Sequence, residues 1–88
     1  MKKYFLYSAI SRCAPCKLLV AKLDEEFPKW RDYIEYIDAD TMSTEHREMA
    51  IKLMVMHLPS FCDSERVIFR GYDKIMIGKI KELCLTKE

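Results

Sequence analysis

Only two glycines and three prolines punctuate this 88-residue chain, no apolar run is long, and neither sign of charge prevails. So little glycine and proline argues against a loop-rich scaffold held by disulfides, and the 50% hydrophobic content supplies a full set of core residues instead. Fifteen Lys and Arg against fourteen Asp and Glu leave a net charge of +1, without the basic excess of a phosphate-binding protein, so nucleic acid is not an expected partner. Lys74, Lys79, Lys81 and Lys87 are interleaved with Ile75, Ile77, Ile80 and Leu83, as on the outer face of a terminal helix. No stretch has the length of a membrane span. Tyr4 to Tyr7 with Ala9-Ile10, after Lys2-Lys3, resembles a secretory leader only superficially: it is short, broken by Ser8, and lacks a small-x-small site before Arg12. The expectation is a complete, cytoplasmic, monomeric chain forming one domain over residues 1–88, with a radius of gyration of roughly 12 Å.

The apolar pattern organises the chain into seven elements. Lys3 to Ala9 is aromatic and apolar without polar alternation, as in a strand buried on both faces. From Pro15 the pattern turns helical, with Leu19, Val20, Leu23 and Phe27 on one face, and Pro28 ends it. Tyr33 to Asp38 reads as a second strand. Thr41 to Thr44 offers helix caps with Glu45 and Glu48 behind them, and Met49, Ala50, Leu53, Met54 and His57 recur at helical spacing until Pro59. Phe61-Cys62, the turn Asp63-Ser64-Glu65 and Val67-Ile68-Phe69 make a hairpin closed by Gly71. A last helix, Ile75 to Leu85, buries Met76, Ile80, Leu83 and Cys84. Strand–helix–strand implies a parallel pair and the closing hairpin an antiparallel one, so the expected fold is α/β with a mixed four-stranded sheet and helices on both faces.

Four cysteines fall into two kinds. Cys62 and Cys84 sit singly in apolar stretches and read as small core residues. Cys13 and Cys16 are two residues apart where the first strand gives way to a helix, with Pro15 suited to its first turn. There the unpaired N–H groups and partial positive charge of the helix start face the first sulfur. Arg12 and Lys17 add two cations, and together these can bring the Cys13 pKa from ~8.5 towards ~7. Cys16, one helical turn on, is placed to attack a mixed disulfide formed at Cys13. Such a pair at a strand-to-helix junction points to redox chemistry. The rival is half of a zinc site, completed from His57, Cys62 or His46, although these are not spaced like a second knuckle.

Cys13-Ala14-Pro15-Cys16-Lys17 resembles the active-site loop of the thioredoxin superfamily, whose thioredoxin members carry Cys-Gly-Pro-Cys-Lys. The resemblance covers nearly the whole chain, since the element order is that of the minimal thioredoxin fold. It implies a thiol-disulfide oxidoreductase whose Cys13 and Cys16 cycle between dithiol and disulfide, with no cofactor beyond that pair. It implies protein disulfides as substrates, with thioredoxin reductase or glutathione as electron donor. Leu58-Pro59 matches the family's cis-proline, with the Leu58 backbone pairing with substrate and Pro59 packing on the disulfide and excluding metal. Arg12, Ala14 and Pro15 complete the implied substrate surface. Gly71-Tyr72-Asp73 is similar to the small glutaredoxin-like redoxins that serve ribonucleotide reductase, which makes that enzyme a candidate partner. Four positions depart from the pattern: Arg12 replaces tryptophan, Tyr7 a buried aspartate, Ala14 a glycine, and Arg70-Gly71 a Gly-Gly pair.

Other residues carry two readings. Met49, Met54 and Met56 at helical spacing read as core filler. His57 is either a helix C-terminal histidine or a proton carrier near the cysteines. Tyr7 either hydrogen-bonds near Cys16 or packs in the core, and Trp30 covers a core edge. Three functions therefore compete: a dithiol carrier recycled by a reductase, a glutathione-dependent glutaredoxin, and a redox-inert or zinc-holding binding module.

Overall fold

The uncharged run Tyr-Phe-Leu-Tyr-Ser can lie between two other strands because it has no side chain that needs solvent, and it takes that place. The computed structural model describes residues 3–86. This run is β1 (Tyr4–Ser8), followed by α1 (Ala14–Glu26), β2 (Ile34–Asp38), α2 (Thr44–Leu53), β3 (Ser60–Cys62), β4 (Val67–Arg70) and α3 (Met76–Leu85). The strand order is β2-β1-β3-β4. β1 pairs in parallel with β2, from Tyr4 opposite Ile34 to Ser8 opposite Asp38, and antiparallel with β3. β3 and β4 form the closing hairpin, with a bulge where Phe61 faces Phe69 but Cys62 faces Val67, leaving Ile68 without a partner. A mixed four-stranded sheet with three helices is the architecture expected, and it is consistent with a minimal thioredoxin-like fold.

Alternation along the strands divides the core between the two faces of the sheet. Leu6, Ile34 and Phe61 point to one side, where they meet Leu19, Val20 and Leu23 of α1 and Met76, Ile77 and Ile80 of α3. Tyr7, Ile37 and Cys62 point to the other, against Ala50 and Leu53 of α2. In α1 the buried residues Cys16, Leu19, Val20 and Leu23 form one helical stripe, so the stripe that packs the helix also carries the second cysteine. In α3 the buried stripe is Met76, Ile77, Ile80 and Cys84; Leu83, expected inside, stands outside it with 36% exposure.

Trp30 is a larger correction. It lies on a 3-10 turn, Pro28–Asp32, and is fully buried in the α1–α3 core rather than covering an edge. The turn supplies the reason. Pro28 stops α1 and its bend drives the indole inward, where Nε1–H donates to Asp24 Oδ1 at 2.8 Å. The Arg31 guanidinium then covers the ring at 4.2 Å from its centroid.

α2 is shorter than its periodicity suggests. Ser43 caps its start by accepting from the His46 N–H at 3.1 Å. At the other end Met54 takes a left-handed conformation, φ 60°, and its N–H reaches the Ile51 carbonyl while the Val55 N–H reaches that of Ala50. This double closure is a Schellman motif, and it ends the helix at Leu53. Met54 and Met56 are consequently 66% and 75% exposed, not core filler, and His57 stands exposed beyond the helix.

Candidate functional site

Parallel pairing brings the ends of β1 and β2 together, and the start of β3 enters beside them because β3 runs the other way. The cysteine loop leaves β1 at this edge. Ala9 and Arg12 close it as a tight turn, with the Arg12 N–H donating to the Ala9 carbonyl at 3.0 Å. Cys13 is the N-cap residue of α1: its backbone is extended, and its sulfur accepts the Cys16 N–H at 3.3 Å. Pro15 sits in the first turn, where no N–H is needed, and no acidic residue occupies that turn. The positive helix start is therefore directed at sulfur and at no carboxylate.

The two sulfurs lie at disulfide distance, with their Cα atoms 5.2 Å apart, so the pair is placed to form a disulfide. Their surroundings differ. Cys16 is fully buried, and its sulfur accepts the Ala9 N–H at 3.5 Å. Cys13 is half-buried at the rim. Such a pair can take up or release two electrons by thiol–disulfide exchange, with the outer sulfur as the point of entry.

The Leu58–Pro59 segment meets the pair from across the sheet edge. Its peptide bond is cis, and the Leu58 carbonyl oxygen lies 3.7 Å from Cys13 Sγ. Pro59 is buried, and two contacts hold its neighbourhood: the Gly71 N–H donates to the Pro59 carbonyl at 2.7 Å, and Ser60 Oγ donates to the His57 carbonyl. Gly71 can serve there because it adopts φ +78°, a conformation that other residues rarely take.

The other candidate residues surround this pair or lie apart from it. Ala14, Pro15 and Lys17 are exposed on the first turn of α1. Arg12 is exposed beside Cys13, but its guanidinium is directed to Asp40 on the β2–α2 connection: Nε lies 2.9 and 3.2 Å from the two carboxylate oxygens, and a terminal nitrogen 2.9 Å from Oδ1. Tyr7 belongs to the α2 face, where its hydroxyl donates to the His46 carbonyl at 2.7 Å; of its two readings the packed core tyrosine is the correct one. Burial, with smaller contributions from Cys62 and Glu35, raises its pKa to about 12. His46 pairs with Glu35 at 3.1 Å. Cys62 and Cys84 are both free thiols, buried on opposite faces of the sheet. Among the described residues no three His, Cys, Asp or Glu side chains gather as a metal-ligating group.

Sequence reasoning did not find Asp40 or the Ala9 N–H. For Asp40 a signal existed: it comes two residues after a strand parallel to β1, and the connections after parallel neighbours leave the sheet side by side. The Ala9 contact had none, since a backbone group has no mark in a sequence.

Among the described residues no helix is long and apolar enough to cross a membrane. No protein-family model, no curated protein and no solved structure matches the chain.

Proposed function

We propose that the protein is a thiol-disulfide oxidoreductase that reduces disulfides in other proteins through Cys13 and Cys16. The observation that carries this reading is the pair at bonding distance on the N-terminus of α1, one sulfur at the rim and the other buried beneath it. In the reduced protein the Cys13 thiolate attacks a substrate disulfide, forming a mixed disulfide and releasing the first substrate sulfur as a thiolate that takes up a proton. The Cys16 thiolate then attacks Cys13 Sγ. That step breaks the mixed disulfide, releases the second substrate thiol and leaves the Cys13–Cys16 disulfide, so two electrons have passed to the substrate. A two-electron donor, a flavoprotein reductase of the thioredoxin type, returns the pair to the dithiol.

The helix start favours the Cys13 thiolate, and the Cys16 N–H donates to that sulfur. An extended substrate segment beside Leu58 would find a backbone carbonyl at the height of the reacting sulfur. The exposed Met54 and Met56 offer adaptable apolar contact close by in the chain.

The test is reduction of a protein disulfide, such as that of insulin, with the protein recycled in turn by a thioredoxin reductase and by glutathione with its reductase. The expected result is turnover with the first system, none for Cys13→Ser, and a trapped mixed disulfide for Cys16→Ser. Turnover with glutathione alone would make the protein a glutaredoxin, and activity in neither system would overturn the reading.

A further inference from the structure

Arg12 precedes the reactive cysteine, and on sequence grounds its cation is a natural stabiliser of a thiolate. In the structure that cation is already engaged. Both carboxylate oxygens of Asp40 face it, and Ser11 Oγ adds a third donor to the same carboxylate at 3.4 Å. Asp40 is itself held. Its N–H donates to Asp38 Oδ1 at 2.8 Å, the Thr41 N–H donates to the Asp38 carbonyl at 3.1 Å, and the Ala39 N–H prolongs the β1–β2 ladder by donating to the Ser8 carbonyl at 2.8 Å. The carboxylate is thus presented by a connection built on two strand ends, and it grips the residue next to Cys13.

Stability alone is a weak account of this arrangement. The side chains are 60% and 36% exposed, and an exposed ion pair contributes only about 0–1 kcal/mol. What its two-point geometry does is direct the guanidinium towards Asp40. We propose that Asp40 is a positioning residue for the dithiol: it captures the Arg12 guanidinium and so withholds from Cys13 the cation that its neighbour in sequence would supply. The proposal rests on Cys13 being the reactive sulfur of the proposed oxidoreductase. The helix start is then left as the main stabiliser of the Cys13 thiolate, and the outer thiol is held less acidic than its sequence suggests. Less acidity preserves nucleophilicity, since a thiolate attacks less readily as its pKa falls.

Ionisable groups at this end of the elements that meet here include Lys17 at the start of α1, Asp38 at the end of β2, His57 on the α2–β3 connection, and Arg70 at the end of β4. All four are retained in every variant below, so they cancel from the comparison.

The experiment titrates Cys13 by the pH dependence of its alkylation with iodoacetamide, in full-length protein carrying Cys16→Ser so that one reactive thiol remains. Against that parent, Asp40→Asn leaves Arg12 uncompensated and should lower the Cys13 pKa. Arg12→Gln leaves Asp40 uncompensated and should raise it. The double variant should return near the parent. A single charge in an exposed loop is worth about half a pKa unit, or about threefold in rate below the pKa. Both shifts should shrink in about 1 M salt, where the screening length is ~3 Å. An Asp40→Asn shift that is larger with Arg12 present than in the Arg12→Gln background establishes the role. Two charges acting independently, or a merely structural tie, would give the same shift in both backgrounds, and equal shifts overturn it. Shifts of the same sign, or none in variants whose circular dichroism is unchanged, overturn it. The titration needs no turnover, so an Arg12-dependent shift in a protein that reduces no disulfide would sink the proposed function and leave Asp40's hold on the Arg12 charge standing.

Discussion

The carbonyl oxygen of Leu58 stands 3.7 Å from the sulfur of Cys13, across 45 residues of chain. This contact marks Cys13 as the sulfur that faces the outside, because the Leu58 connection borders the rim while Cys16 lies beneath it with no exposed surface. Reduced protein should therefore be alkylated first at Cys13 at neutral pH, with Cys16 labelled at a rate that rises with denaturant. Peptide mapping of the labelled protein reads the order directly, and preferential labelling of Cys16 would reverse the assigned roles.

The two remaining cysteines, with Tyr7 above about pH 10, contribute to the loss of stability at alkaline pH. Burial, helped by Asp63, pushes the Cys62 thiol up from 9.0 to about 12, and burial pushes Cys84 from 9.0 to about 11. Each folded value lies above the unfolded one, so the unfolded chain releases a proton that the folded chain keeps. The stability these groups confer is complete below about pH 9 and is lost as pH rises towards their folded values. Cys62→Ala should flatten the alkaline fall by up to about 1.4 kcal/mol per pH unit, while itself lowering neutral stability by about 1–2 kcal/mol. Urea midpoints measured across this range test the sign. Disulfide-reducing activity should stay near the parent value in Cys62→Ala and Cys84→Ala.

Trp30 is the only tryptophan, so its fluorescence reports the α1–α3 core without labelling. Its indole donates to Asp24, and removing the acceptor leaves a donor unsatisfied in a buried side chain. Asp24→Ala should cost about 1–3 kcal/mol, whereas Asp24→Asn keeps an acceptor oxygen and should cost less than about 1 kcal/mol. Losses below about 0.5 kcal/mol in both variants would show that the bond contributes little.

Met54 carries the left-handed cap of α2 with a side chain that buries little. Glycine takes this conformation without the clash of a Cβ. Met54→Gly should raise stability by about 0.5–1 kcal/mol in chemical denaturation. A loss would mean that the methionine makes contacts that outweigh its backbone cost.

Local chemistry was sufficient for much of this protein. The uncharged run before Ser8, the stripe of Leu19, Val20 and Leu23, and the hairpin around Asp63 to Glu65 each arise from side-chain type and spacing, because a strand alternates and a helix repeats. Cys13 and Cys16 were equally legible, since a helix start and a three-residue separation determine both their environment and their distance. Periodicity misled at the end of α2, where it cannot distinguish a helix from the loop after it. Met54 to His57 continue the helical spacing, but a backbone reversal at Met54 decided that those side chains meet solvent. Only the tertiary structure could place Trp30, because the bend at Pro28 and an acceptor six residues back turned it inward. Only the tertiary structure could show that Arg12 is engaged. Its partner lies on the next parallel strand's connection, and strand pairing, not sequence distance, decides which charges become neighbours.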